Sequence, residues 1–335
     1  MLPEEASART IPDVTSTTLA RGRLADHPLW SRALAGGSLA SHLVKALIVS
    51  ARVEERERVP DAPWLERLSI TELVRDARAA ASAGFAGLLI FGASDRKDER
   101  AMIASERDHV VTRAIHAVKD AAPDLAIATD VCVCAYTPHG QCVLFTEGHA
   151  DVDGTLARLA EIALVHADAG ADMIVASGML DGTIRALRAS LASVDHGSVP
   201  VASVIKLDST LYASHRRAVE AIPVSERAVP LFAADDREGP RARALRDIAA
   251  GADAIVVKPG LVALDHVSRI AASPDRPDGL GRPILSFHTA DEHSLYFENE
   301  QLADATAAER ETLVASRRAG ADIVITYAAL DAAES

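Results

Sequence analysis

Ala169-Gly170-Ala171-Asp172-Met173-Ile174-Val175-Ala176-Ser177 joins the end of one helical pattern to a short apolar run. Small residues and a glycine close a helix, because glycine accepts the left-handed turn after the last helical residue at little steric cost. An unbroken apolar run of four or five residues behind such a signal reads as a strand buried on both faces. The phrase returns along the chain. Ala81-Ser-Ala-Gly84 precedes Gly87-Leu-Leu-Ile-Phe91, Gly251-Ala-Asp253 precedes Ala254-Ile-Val-Val-Lys258, and Gly320-Ala-Asp322 precedes Ile323-Val-Ile-Thr-Tyr327. The copies lie roughly 70 to 85 residues apart, room for about two βα units each.

Further apolar runs fall between the copies. Counting 43–49, 86–91, 125–130, 172–177, 200–206, 254–258, 283–287 and 322–327 gives a series of strands separated mostly by helical patterns. Apolar strands alternating with helices pair in parallel, and eight such units predict a (β/α)₈ TIM barrel over residues 31–335. A doubly wound open sheet is disfavoured because no Gly-x-Gly-x-x-Gly turn follows any strand. The short run Val229–Ala233 reads as a loop. Residues 1–30, with Pro3, Pro12 and Pro28 and little periodicity, read as an irregular N-terminal arm. The Glu- and Arg-rich stretch closed by Pro60 and Pro63 reads as a polar loop, and the helix from Ser69 to Ala83 takes Thr71 as its cap.

The chain has 335 residues, 49% of them hydrophobic, ample for a packed core. Its formal net charge of −13 argues against nucleic acid or an anionic membrane surface as partner. No apolar run reaches the ~18 residues of a membrane span, and Met1-Leu-Pro-Glu-Glu lacks the basic and apolar regions of a secretory signal. A soluble cytoplasmic protein is the expectation.

All three cysteines, Cys132, Cys134 and Cys142, fall in one stretch after the run 125–129 and Asp130. Cys132 and Cys134 are two apart, so in an extended segment they share a face; Cys142 returns after a turn built from Pro138, His139 and Gly140. Three thiolates so placed suit zinc. A closed structural site would draw its fourth ligand from Asp130 or His139. Three ligands with an open position is the catalytic pattern. A disulfide would leave one thiol over.

Lysine is scarce: Lys45, Lys97, Lys119, Lys206 and Lys258 are all there are, and arginine supplies the remaining basic charge. Lys206 and Lys258 each end an apolar strand, where a barrel gathers its chemistry. An amine between apolar walls and near another cation has its pKa pulled down, which makes it nucleophilic enough to form a Schiff base with a ketone. Tyr327 ends the last strand.

Asp130-x-Cys-x-Cys-x-Tyr-Thr-x-His-Gly-x-Cys142, Asp151-Val-Asp-Gly-Thr-Leu and Met179-Leu-Asp181-Gly-Thr-Ile together resemble the porphobilinogen synthase (5-aminolaevulinate dehydratase) family. Lys206 with Tyr212 and Arg216, Val257-Lys258-Pro259 and Arg318-Ala-Gly-Ala-Asp-Ile-Val-Ile-Thr-Tyr327 fit it too, so the resemblance covers roughly residues 25 to 332. It implies a barrel enzyme that condenses two 5-aminolaevulinate molecules into porphobilinogen with loss of two waters. Lys258 would form one Schiff base, Lys206 would hold the second substrate, and Asp130 would orient its amine. Zn²⁺ on Cys132, Cys134 and Cys142 would polarise that substrate or position a hydroxide. Arg216 and Arg227 would clamp one carboxylate, Tyr327 the other, with Tyr212 beside them, under a lid from about 209 to 240. The resemblance also implies a homo-oligomer, an octamer whose N-terminal arm embraces a neighbour.

The chain departs from the family where substrate is recognised. Ala290-Asp291-Glu292-His293 stands for Ser-Gly-Glu-Tyr, Pro230-Leu231 for Tyr-Gln, and Ala213-Ser214-His215 for Gly-Pro-Phe. Arg243 stands where many members carry a glutamate for an allosteric magnesium. Losing one hydrogen bond to a buried carboxylate costs about 1–3 kcal/mol, so two losses would weaken binding around a hundredfold. His293, His288 or His215 would then replace the missing contacts. The alternatives are a paralogue acting on a related amino ketone, or a non-catalytic zinc-binding barrel.

Overall fold

The computed structural model describes residues 22–272 and 281–328. Eight parallel strands form its centre: β1 (Leu43–Ser50), β2 (Gly87–Ala93), β3 (Ala126–Val131), β4 (Met173–Ala176), β5 (Val201–Lys206), β6 (Ala254–Lys258), β7 (Ile284–Phe287) and β8 (Ile323–Thr326). Each pairs with the next in chain order, and β8 pairs back onto β1 through Leu43↔Val324, which closes the sheet. Helices on the outside connect the strands, and residues from Leu43 to Val324 pack into one apolar core. This is the (β/α)₈ barrel read from the run of strands.

The repeated Gly-Ala-Asp phrase has a structural reason in both its glycine and its aspartate. Gly170, Gly251 and Gly320 have φ of +100°, +105° and +110°, the left-handed turn that ends the preceding helix. Two residues on, the aspartate fastens the neighbouring strand. Asp172 accepts from Ile127 N at 2.8 Å, Asp253 from Val201 N at 2.9 Å and Asp322 from Ile284 N at 2.9 Å. Each carboxylate thus satisfies a backbone amide at the start of a strand, where the ladder has no acceptor to offer.

Two details differ from the sequence reading. The stretch read as a polar loop is an antiparallel hairpin, Arg56–Val59 with Ala62–Leu68, joined to the barrel through Ile48↔Arg67. Pro60 and Asp61 (φ +59°) make its turn, and Arg56 binds Glu66 and Glu72 across it at 2.9 and 2.6 Å. The charges taken for a loop are the solvated face of two strands whose Val59, Ala62, Leu65 and Leu68 are buried. Ser69, not Thr71, caps the following helix, Ile70–Ser82: its hydroxyl accepts from Glu72 N, a geometry open only to the residue just ahead of the first turn. Val229–Ala233 is a loop with a single bridge, Leu207↔Phe232.

Of the expected arm, residues 1–21 lie outside the described residues. The rest is less irregular than expected, with short helices at Gly22–Asp26 and Trp30–Leu34. Fully buried Trp30 donates to Asp172 O at 3.0 Å, and Arg23 pairs with Asp253 at 3.1 Å. No helix among the described residues is long and apolar enough to cross a membrane.

Candidate active site

The C-terminal ends of β3, β4, β5 and β6 open into one cup. Lys206 and Lys258 are the last residues of β5 and β6 and stand in register as paired neighbours. Residues opposite one another in adjacent parallel strands point the same way, so both amines enter the cup. Asp130 from β3, Ser177 just past β4, and Cys132, Cys134 and Cys142 complete its wall on one side. The segment between β5 and the helix Gly239–Ala249 folds over the top as a lid, contributing Tyr212, His215, Arg216, Val219 and Ala221.

The cup is buried, and its electrostatics follow from that. Both lysines are only 7% exposed. Burial, and next the charge of Lys206, bring the Lys258 amine down to about 7. Its Nζ lies 4.7 Å from the centre of the Phe287 ring and 5.6 Å from that of Tyr212. Burial pushes the Asp130 carboxyl up, against the opposing pull of a hydrogen bond from Ser177 Oγ and the two amines. An amine able to shed its proton near neutrality, beside a carboxyl able to hold one, is the pair that imine chemistry needs.

The three sulfurs lie within 4.8 Å of one another, close enough for one ion to reach all of them. None is in a disulfide. Hydrogen bonds from the Cys132 and Cys134 thiols hold the Cys142 thiol well below its usual range, so the trio carries negative charge into a buried place. Buried thiolate without a cation is costly, and a thiophilic divalent ion answers that cost. The donor set fits such an ion, with three protein ligands and a side open to the cup.

The lid residues differ in what they offer. Arg216 lines the cup and donates to Ala221 O at 3.0 Å. Arg227 stands at the rim, 3.4 Å from Asp208. The Tyr212 hydroxyl is spent on the backbone, donating to Leu207 O and Lys258 O at 2.8 Å each. It braces the strand end that carries Lys258. Tyr327 is buried at the end of β8, its hydroxyl 3.1 Å from His215 Nδ1.

Of the histidines offered as replacements, only His215 reaches the cup. His293 points away: its Nδ1 meets Glu309 Oε1 at 2.7 Å and its ring lies against Phe297. The fourth residue of the helix Ala290–Phe297 faces the helix Ala305–Arg318 rather than the cup, which the spacing alone does not reveal. His288 is buried behind β7 on Ser316 Oγ at 2.7 Å. His215 sits edge-on to Phe91 at 4.5 Å between ring centres. Burial, and next the charge of Lys258, hold its pKa well below the ordinary value, so the ring is neutral. Ala290 is fully buried, and Asp291 accepts from Ser214 N at 3.1 Å and from its hydroxyl, tying the lid helix Ala213–Ala218 to the helix after β7. Ser177 and Phe287 escaped the sequence reading, although each ends a strand already identified there.

Comparisons with known proteins agree with this geometry. The family model described as delta-aminolevulinic acid dehydratase matches residues 22–335. Delta-aminolevulinic acid dehydratase of Halalkalibacterium halodurans is 32% identical over 296 residues, covering 87% of this chain and 88% of the relative. That of Synechococcus elongatus is 34% identical over 287 residues, covering 83% and 86%. A solved structure of delta-aminolevulinic acid dehydratase (porphobilinogen synthase) from Toxoplasma gondii ME49, in complex with its product porphobilinogen, superposes with a TM-score of 0.83. It is 28% identical, with 89% of this chain and 85% of that one covered.

Proposed function

The chain belongs to the delta-aminolevulinic acid dehydratase family, and from that premise we propose that it condenses two 5-aminolaevulinate molecules to porphobilinogen. One observation carries the reading: two buried lysines in register share a single cup with three clustered cysteines.

The chemistry assigned to the side chains follows from their surroundings. Lys258, neutral for much of its time near pH 7, attacks the ketone of one substrate; the adduct loses water to give an imine. Lys206, beside it, holds the second substrate. Asp130, its proton favoured by burial, gives and takes protons at the amine and at departing water. Closing the condensation expels a second water, so the lid's exclusion of bulk solvent favours product. Arg216 and Arg227 receive one carboxylate, a role suited to a planar fork of donors. Zinc on Cys132, Cys134 and Cys142, when bound, supplies Lewis acidity toward the second substrate. The neutral His215 and Tyr327 hydroxyl together meet the terminal group of the substrate on Lys258, in place of the hydroxyl that Ala290 lacks.

A second reading has its own support. Burial, then the charge of Asp130 and last that of Asp291, a carboxylate where the family has glycine, push the Tyr327 hydroxyl pKa up. Negative charge there favours a related amino ketone without a terminal carboxylate. Incubating the zinc-loaded protein with 5-aminolaevulinate and developing with an acidic aldehyde dye separates the two. Pyrrole colour supports the first; an adduct on Lys258 with no colour supports the second; neither overturns both.

A further inference from the structure

Gln141 lies between Gly140 and Cys142 in the cysteine loop and is only 2% exposed. Its side chain reaches out of that loop and into the lid. The amide nitrogen donates to Glu226 O at 2.8 Å, and sits 3.2 Å from Ser225 Oγ and 3.4 Å from Ser225 O. The amide oxygen accepts from Ala228 N at 3.1 Å. These partners flank one residue, Arg227. The approach continues on the near side: Val224 N donates to His139 O at 3.2 Å, and Gly140, at φ +64°, passes so close that a Cβ there would lie 2.5 Å from Ile222 O.

We infer that Gln141 is a positioning residue that registers the lid segment bearing Arg227 to the cysteine loop, and so sets where that guanidinium meets substrate. Both ends of the amide are used, on backbone atoms either side of the arginine, which fixes the segment in position and in rotation. Among the described residues the arginine's own side chain has one ion pair, the rim contact with Asp208 at 3.4 Å. Without Gln141 the backbone from 225 to 228 has no other hydrogen bond to the barrel wall among the described residues, and an arginine on a loosened loop is no longer held where its carboxylate binds. The identity of that carboxylate rests on the proposed function; the registration of the lid does not.

The test uses zinc-loaded, full-length protein with Gln141→Ala and Gln141→Glu, the latter keeping an acceptor for Ala228 N but no donor for Ser225 and Glu226. Hydrogen exchange of the peptide spanning 222–229 is expected to speed up on the order of tenfold or more in the alanine variant and by less in the glutamate one. Exchange in the barrel strands stays unchanged. KM for 5-aminolaevulinate rises roughly ten- to hundredfold while borohydride trapping of an imine on Lys258 persists at saturating substrate. Wild-type exchange in 222–229 in a folded variant overturns the inference, as does an unchanged KM. If the alanine variant does not fold, the glutamate variant decides on the same criteria. Should wild-type protein form no pyrrole, the proposed function fails, and the exchange data still decide the role of Gln141.

Discussion

Lys258 owes its reactivity to its neighbours. Burial and Lys206 bring its amine to about 7, so the neutral form is lost as pH falls below that value. Imine formation is therefore expected to rise from pH 6 to pH 8 and then level, read as the initial rate of borohydride-trapped adduct; a flat profile contradicts the assignment. His215 gives a second residue-scale prediction. Replacing it by Phe removes the partner of the Tyr327 hydroxyl and raises KM about tenfold, one hydrogen bond's worth. Adding Ala290→Ser in that background restores a hydroxyl beside the strand end and recovers most of the loss. An undiminished affinity in His215→Phe would place the terminal group elsewhere. Lys206, Lys258 and the cysteines were legible in the sequence because scarcity made them conspicuous. His215 was not separable from His288 and His293 there, since the lid's fold over the cup sets which ring turns inward.

At the scale of elements, the Gly-Ala-Asp phrase announced strand starts before its purpose was apparent. The aspartate's role emerges only when the neighbouring strand's first amide is seen to need an acceptor. Asp253 is fully buried and also serves Arg188, at 3.4 Å. Asp253→Ala strands Val201 N and that guanidinium, and is expected to cost about 3–5 kcal/mol in urea unfolding. Activity per folded molecule is retained, because the residue lies at the opposite end of the strand from Lys258. A loss under ~1 kcal/mol would contradict the role. The hairpin 56–68 was missed for a physical reason: its exposed residues are densely charged, and its buried Val59, Ala62, Leu65 and Leu68 follow no alternation of period two that a one-dimensional reading could find.

At the scale of the molecule, the barrel was legible because eight apolar runs can bury both faces in few other ways, and closure through β8 and β1 follows from that count. What the sequence hid was the cost of its interior polar groups. His109, His166 and His288 are held by burial at about 4, 3 and 4, respectively. In the unfolded chain each takes a proton below about 6.5, while the folded rings refuse it until pH 4 or lower. Their contribution is intact above pH 6.5 and is lost as pH falls toward 4. Urea midpoints should therefore drop steadily between pH 7 and pH 5; an unchanged midpoint over that window would contradict the buried neutral assignment.

Two amines serving one cup are the centre of the proposed mechanism. Its most direct test is borohydride trapping of the zinc-loaded protein with 5-aminolaevulinate, followed by peptide mass spectrometry. The prediction is a reduced substrate adduct on Lys258, abolished in Lys258→Met, with Lys206 as the sole second site and Lys45, Lys97 and Lys119 unmodified. Pyrrole formed with no adduct on Lys258, or adducts spread over the three outer lysines, would contradict it.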